Sequence, residues 1–236
     1  MSTECIAVQS HLTARALLPF VLSVIGGSTD TIGFLGMNGL FTAHITGNLV
    51  VLAAHVVAGD SAVLSYILAV PAFVLVLLLT SLLANRLERR GFETLRPLLS
   101  LELLLLAAFF TISVSSPAQL NPNSALAVTM GMCGVGAMAV QTVLAQVSLA
   151  GTPSTAVMTT NVAQLVGAIV QAVNDPDLSA RDRAHRKVSQ VLPVIIGFTL
   201  GCALGAVGQA RLGLWALSIP TGLALVALGL NLRPER

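Results

Sequence analysis

Long apolar stretches with almost no charged residues set the first limit on how this chain can fold. A helix needs roughly 20 apolar residues to cross about 30 Å of hydrocarbon, and six stretches qualify. They are residues 16–36, 63–84, 98–115, 124–149, 190–210 and 213–231. Charged residues make up only 9% of the chain, against roughly 25% in soluble proteins, so a lipid bilayer must solvate most of its surface. This composition and the net charge of +2 exclude a disordered chain and a nucleic-acid-binding protein.

Two shorter and more polar stretches, 42–58 and 155–173, leave the number of crossings open, and the basic residues decide it. If neither stretch crosses and the N-terminus is cytoplasmic, every Lys and Arg except Arg211 lies on the cytoplasmic side, as the positive-inside rule requires. If both cross, the basic cluster of residues 85–97 is exported. We therefore predict six crossings, cytoplasmic N- and C-termini, and cytoplasmic loops at 85–97 and 174–189.

The two short stretches resemble each other in sequence. TAHITGNLVVL (42–52) and TAVMTTNVAQL (155–165) are identical at five of eleven aligned positions. Each follows a long helix that contains glycine and precedes two further apolar helices, so a single membrane domain (1–236) divides into copies over 14–115 and 124–231. Three crossings per copy is an odd number, so the copies enter the membrane from opposite sides. The predicted fold is an all-α integral membrane protein with six transmembrane helices and two short broken or re-entrant helices, arranged as a 3+3 inverted repeat.

Polar residues within these apolar elements are the candidate binding residues. Asp30 stands out, because an ionisable group inside the membrane is costly and normally functional. It could carry a proton, ligate a cation or anchor a substrate amine. The Thr- and Asn-rich starts of the two short elements expose backbone groups that lipid cannot satisfy. These features predict a central polar site for a small solute or ion, formed by Asp30, His44, Thr46, Asn48, Gln141, Thr159 and Asn161.

Each candidate also has a purely structural interpretation. A neutral Asp30 would hydrogen-bond to Asn48 or to a backbone carbonyl and hold two helices together, and the Thr and Asn residues would cap broken helices. His44 could relay protons, although the second copy has no histidine at that place. Gln141 could line a pathway or simply link two helices. Glu102 is expected to reach the cytoplasmic surface and is not counted as a site residue.

A ridge of small residues and the absence of enzyme motifs complete the sequence picture. Gly197, Gly201 and Gly205 recur every four residues, a spacing that packs helices within a bundle or joins two copies of the chain. The chain contains no GxSxG, HExxH, CxxC or GxxxxGK[ST] motif. Two histidines and one asparagine would make a weak zinc site. We therefore expect no enzyme activity, no cofactor and no metal.

The segments TDTIGFLGMNGLFTAHITGN (29–48) and TAVMTTN (155–161) give the chain a recognisable likeness. It resembles the YoaK-like family, a group of six-span bacterial membrane proteins of unknown function, over about residues 14–231. In this resemblance the acid of the first helix matches Asp30, and a Thr-Gly-Asn element matches residues 46–48. The resemblance implies a multi-pass protein of the bacterial inner membrane.

The leading hypothesis is a transporter for a small solute, with proton coupling through Asp30 as a further hypothesis. The alternatives are a channel and a membrane scaffold or assembly protein that transports nothing. A transporter predicts a polar cavity that reaches Asp30 from one side, and a channel predicts one that is open to both sides. A scaffold predicts an Asp30 carboxylate sealed by direct hydrogen bonds.

Overall fold

The structure is a computed structural model that describes residues 3–59, 64–117, 121–149, 153 and 158–231, with side chains from Leu17 onward. This described part is all-helical, as predicted. Its helices are α1 (Thr3–Gly36), α2 (Ile45–Ala58), α3 (Leu64–Arg89), α4 (Leu95–Ser115), α5 (Ala125–Val147), α6 (Met158–Asn174), α7 (Leu178–Leu212) and α8 (Ser218–Asn231). A 3₁₀ turn, Gly213–Leu217, joins α7 to α8.

Five helical segments are long and apolar enough to cross a membrane, which is consistent with the multi-pass membrane protein predicted from the sequence. They are Leu17–Gly36, Leu64–Arg89, Leu95–Ser115, Ala125–Val147 and Leu178–Asn231. The fifth segment is 54 residues long and contains α7, the 3₁₀ turn and α8. By contrast, α2 has 14 residues and α6 has 17, which is fewer than a helix needs to cross the hydrocarbon. Helix α8 also has only 14 residues, but the 3₁₀ turn directly before it extends the helical segment to residues 213–231.

The closest helix pair is α1 with α7, and glycines make it possible. Three glycines of α7 lie directly against backbone carbonyls of α1. The contacts are Gly197 with Phe20, Gly201 with Val24 and Gly205 with Ser28, so they follow the same order along both helices. A Cβ atom at Gly201 would lie 2.4 Å from the Val24 oxygen, so only hydrogen fits there. The two helices are therefore parallel and in backbone contact, and the glycine ridge packs helices within the chain.

The chain reverses between α7 and α8, at Gly213 with φ of 58°. Helix α8 runs antiparallel to α4, because the Thr221 hydroxyl donates to the Leu106 carbonyl while Arg96 Nε donates to the Asn231 carbonyl. Helix α4 thus lies between α8 and α5, which both pack against it. The other helices in contact within the described chain are α1 with α8, α1 with α5, α3 with α5, α2 with α3 and α6 with α7.

The two basic segments predicted as loops are mostly helical. Only residues 175–177 separate α6 from α7, because the Asp177 carboxylate accepts a hydrogen bond of 2.9 Å from the Ser179 amide and begins the helix there. Residues 178–189, predicted as part of a loop over 174–189, therefore form the first turns of α7. Likewise, only residues 90–94 of the predicted loop 85–97 lie between helices. The cap at Asp177 sets the start of α7, and α3 ends just before Gly91, whose φ of 74° is left-handed. Hydropathy detects neither feature.

Candidate functional site

The connection between α1 and α2, residues 37–44, folds back along the end of α1. The turn is made at Asn38 and Gly39, whose φ angles of 53° and 91° lie in the left-handed region. Asparagine and glycine tolerate this region best. Gly33 of α1 then lies directly beside Thr42, so the connection packs alongside the helix and does not extend beyond its end.

The Asp30 carboxylate accepts hydrogen bonds from the backbone of this connection. Its Oδ1 atom accepts hydrogen bonds from the amides of Thr42 at 2.7 Å and Ala43 at 2.6 Å, while its Oδ2 atom lies 2.6 Å from His44 Nδ1. Asp30 is only 5% exposed. The amides belong to the residues directly before α2, so the carboxylate also faces the positive end of that helix dipole. Asp30 thereby satisfies backbone donors that lipid could not satisfy.

His44 connects the buried carboxylate to the surface of the protein. Its side chain is 41% exposed although it contacts Asp30 directly. Its ring forms T-shaped contacts with the rings of Phe41, at a centroid distance of 5.9 Å, and of Phe198 on α7, at 5.6 Å. The site therefore lies where α1, α7 and the connection to α2 meet, and the residue that faces the acid there is a histidine, whose ordinary pKa lies near neutrality.

Asn48 holds the connection in shape from the other side. It is completely buried, its Oδ1 atom accepts from the Phe41 amide at 2.9 Å, and its Nδ2 atom donates to the Phe41 carbonyl at 2.8 Å. A Cβ at Gly47 would lie 2.9 Å from the Phe41 ring, so glycine leaves room for that ring. Thr46, by contrast, is exposed and does not join the cluster.

The neighbouring positions 46 and 48 give a matched test of this arrangement. Asn48→Ala removes two buried hydrogen bonds to the backbone, and it should lower the free energy of unfolding by about 2 kcal/mol, since each such bond contributes roughly 1 kcal/mol. Thr46→Ala changes an exposed side chain and should stay within about 0.5 kcal/mol of the wild type. Thermal or denaturant unfolding in detergent measures both. Equal stability of the two variants would contradict the role of Asn48.

The second copy repeats part of this pattern. Asn161 is buried, with its Nδ2 atom 3.9 Å from the Met158 sulfur, and Thr159 is exposed. A buried Asn two residues after an exposed Thr thus occurs at the start of both α2 and α6. Thr155 and Ala156, the first residues of the second motif, lie outside the described residues.

Gln141 lies in a different part of the bundle from Asp30. It is 1% exposed, and its Nε2 atom donates to the Leu22 carbonyl at 2.9 Å, which links α5 to α1. From Leu22 to Asp30 the axis of α1 rises about 12 Å. Among the predicted site residues, the structure therefore brings together Asp30, His44 and Asn48, with Gln141 and Asn161 buried elsewhere.

Sequence reasoning missed Glu102. The prediction that it reaches the cytoplasmic surface is wrong, because the side chain is completely buried in the middle of the bundle. Leu99, Leu106 and Phe109 share its helical face and are also buried. The other faces of α4 are nearly as apolar, so no contrast in the sequence shows which face turns inward.

A cavity of about 220 Å³ lies near the end of α1. The residues that line it include Gly36, Asn38, Tyr66, Ser113, Ser116 and Ala127, and Asp30 is not among them. The Tyr66 hydroxyl donates to the Asn38 carbonyl, and the His55 ring stacks on Tyr66 at a centroid distance of 5.0 Å. The cavity thus borders the start of the α1–α2 connection and lies about 9 Å along α1 from Asp30.

Comparison with known proteins places the chain by family. The family model described as "Protein of unknown function (DUF1275)" matches residues 18–230. No curated protein and no solved structure matches the chain. These comparisons bring no substrate or activity with them, so function has to be argued from the residues and contacts above.

Proposed function

Since the chain belongs to the DUF1275 family of unknown function, we propose its function from its own geometry: it transports a small solute across the membrane. One observation carries the proposal. A buried carboxylate, Asp30, is held by the backbone of a non-helical segment that folds back beside α1. Such backbone is tolerated at membrane depth only where protein or a watery cavity surrounds it, and transporters bind substrates and ions at interrupted helices.

Six crossings in a 3+3 inverted repeat are part of this proposal. Helix α1 packs against α7 and α8, and α5 packs against α3 and α4, while α2 lies on α3 and α6 on α7. If α1, α2, α3 and α4 are exchanged in order with α5, α6, α7 and α8, each of these pairs becomes another pair of the same set. The reversal at Gly213–Leu217 divides the longest apolar segment into two helices of opposite direction. The packing therefore supports two related halves.

The described conformation corresponds to a closed state of this transporter. Met37 and Asn38, at the start of the connection, line the 220 Å³ cavity, whereas Thr42 and Ala43, near its end, cover the Asp30 carboxylate. In this proposal a solute in the cavity reaches the carboxylate when the connection moves. Protonation of Asp30, or loss of the proton from His44, would weaken the contact between them. Proton coupling through Asp30 is a hypothesis within the proposal, which assigns no catalytic residue.

The distribution of basic residues supports the proposed orientation, with both termini in the cytoplasm of a bacterium and the protein in its inner membrane. Arg86, Arg89 and Arg96 lie at one end of the bundle, where α3 meets α4, and Arg181 lies at the same end near the start of α7. Positive charge at cytoplasmic helix ends is the strongest determinant of orientation. The resemblance to YoaK-like proteins agrees with this location.

A membrane scaffold remains the second candidate, and one observation favours it. Asp30 accepts hydrogen bonds from the Thr42 and Ala43 amides and contacts His44, so its carboxylate is sealed by direct contacts. A permanent seal would make the connection a static clamp. The two candidates differ in whether this seal opens in the folded protein.

Chemical labelling of the sealed segment separates the candidates. Thr42→Cys, in a variant whose native cysteines Cys5, Cys133 and Cys202 are alanine, introduces a thiol at a completely buried position. A transporter should expose it transiently, so a membrane-impermeant maleimide should label it slowly in intact cells or in inverted vesicles. Mass spectrometry gives the rate from each side, and simultaneous access from both sides would indicate a channel.

Two exposed positions control this experiment. Asn121→Cys should be labelled only in intact cells, and Glu88→Cys only in inverted vesicles, because the proposed topology places them on opposite sides of the membrane. Reversed labelling of the controls would contradict the orientation. No labelling of the Thr42→Cys thiol from either side, in protein that remains folded, would contradict transport and favour the scaffold.

A further inference from the structure

The buried acid of α4, Glu102, is an ionisable group that the proposed site does not use. It is completely buried, and neither carboxyl oxygen has a hydrogen-bond partner within the described part of the chain. Leu98, Leu99 and Leu106 on the same helix are at most 1% exposed and belong to one apolar cluster with residues of α5 and α8. Glu102 thus lies in the apolar centre of the bundle.

Its position along the bundle follows from the contacts between α4 and α5. Thr94 hydrogen-bonds to Ser148, and Leu105 contacts Gly136, so Glu102 is level with the turn that contains Gln141. Gln141 bonds to the Leu22 carbonyl of α1. Glu102 therefore lies near the junction of the two halves of the chain, at a different depth from Asp30.

The elements packed against α4 bring few titratable groups towards Glu102. Helix α8 and the 3₁₀ turn contain no Asp, Glu, His, Cys, Tyr, Lys or Arg, and α5 contributes only Cys133. Cys133 packs in a cluster with Phe109, about two turns along α4. On α4 itself, Arg96 lies about 9 Å away towards the helix start, where its Nε atom donates to the Asn231 carbonyl.

This environment decides the state of the carboxyl group. An ionised carboxylate without a partner in apolar surroundings is far costlier than the neutral acid. We infer that Glu102 is a proton-binding site: its carboxyl group is protonated in this closed conformation and releases the proton when the helices around it admit water. The bond that forms and breaks is the carboxyl O–H bond, and water accepts the proton.

The use of this proton to drive a solute rests on the proposed transport function, whereas proton binding itself does not. Asp30 is paired with backbone amides and His44, and Glu102 is unpaired, so the two acids differ in their need for a proton. Glu102 is a second candidate for coupling beside Asp30, because its ionisation requires the helices to rearrange.

Infrared spectroscopy of detergent-purified full-length protein tests the inference without a substrate. At about pH 7.5, exposed carboxyl groups with pKa values near 4 are ionised, so the carbonyl absorption of a protonated carboxylic acid reports a buried one. We expect this band in the wild type and its loss in Glu102→Gln. Glu88→Gln, which changes an exposed acid, and Asp30→Asn should both keep the band.

Two results would overturn the inference: a wild type without the band, or a Glu102→Gln variant that keeps it. Glu102→Leu provides a second variant, and it should raise the thermal unfolding midpoint, because an apolar side chain replaces an unpaired polar one. It should also lack the band. The infrared band could depend on Glu102 while the Thr42→Cys thiol is never labelled. That combination would support the proton-binding site and contradict the transport function.

Discussion

Asp30→Ala should strongly destabilise the protein, by about 3 kcal/mol. The substitution leaves the amides of Thr42 and Ala43 without their acceptor inside the bundle, and each unsatisfied buried donor costs roughly 1–3 kcal/mol. It also leaves His44 without its carboxylate, although that ring is partly exposed and regains some solvation. The midpoint of thermal unfolding in detergent, together with size-exclusion profiles, measures the loss.

Two further variants make this prediction specific. Asp30→Asn keeps an oxygen that can accept from the amides but removes the charge, so it should fold and insert while solute uptake in proteoliposomes is lost. Asp182→Asn changes an exposed acid of α7 and should match the wild type. An Asp30→Ala protein of wild-type stability would show that the connection is held by other contacts. Normal uptake by Asp30→Asn would remove Asp30 from the transport mechanism.

Gly201→Ala should strongly destabilise the protein, because the added methyl group would overlap the backbone of α1. The new Cβ would lie 2.4 Å from the Val24 carbonyl oxygen and 2.9 Å from the Val24 Cα. Backbone atoms cannot rotate out of the way, so α7 must move away from α1. Overpacking typically costs 1–3 kcal/mol, and we expect a loss of about 3 kcal/mol or more in the free energy of unfolding.

The same displacement should also affect the site. Phe198, one turn earlier on α7, contacts the ring of His44, so moving α7 loosens the contact between His44 and Asp30. Gly222→Ala in α8 is the matched control, because no atom lies within 4 Å of its added Cβ, and it should change stability by at most about 0.5 kcal/mol. Equal unfolding midpoints for Gly201→Ala and Gly222→Ala would show that α1 and α7 are not in backbone contact.

Much of the fold was predictable, because lipid imposes simple requirements on a sequence. A crossing helix needs a certain length of apolar residues, and the membrane-capable helices appear where the apolar stretches lie. Asp30 was recognisable as a residue in need of partners, since a charge in hydrocarbon is costly. The spacing of Gly197, Gly201 and Gly205 indicated close helix packing for a similar reason.

The partners of these residues were not predictable from the sequence. The structural interpretation of Asp30 predicts a bond to Asn48 or to a backbone carbonyl, but Asp30 contacts backbone amides and His44, while Asn48 bonds to Phe41. Both results depend on the left-handed turn that folds residues 37–44 back beside α1. Such a turn brings together residues that are 12 to 14 positions apart in the chain, which no local pattern records.

The sequence by itself determined that this protein is helical, that its helices are apolar enough to cross a membrane, and that Asp30 requires polar partners. Only the tertiary structure decided which face of each helix turns inward. Glu102 shows the physical reason: a lipid-facing surface and a helix-facing surface are equally apolar, so α4 carries no amphipathic pattern that would place its acid. Packing against α5 and α8 buried that carboxyl group without a partner in the described chain, and its chemistry follows from that burial.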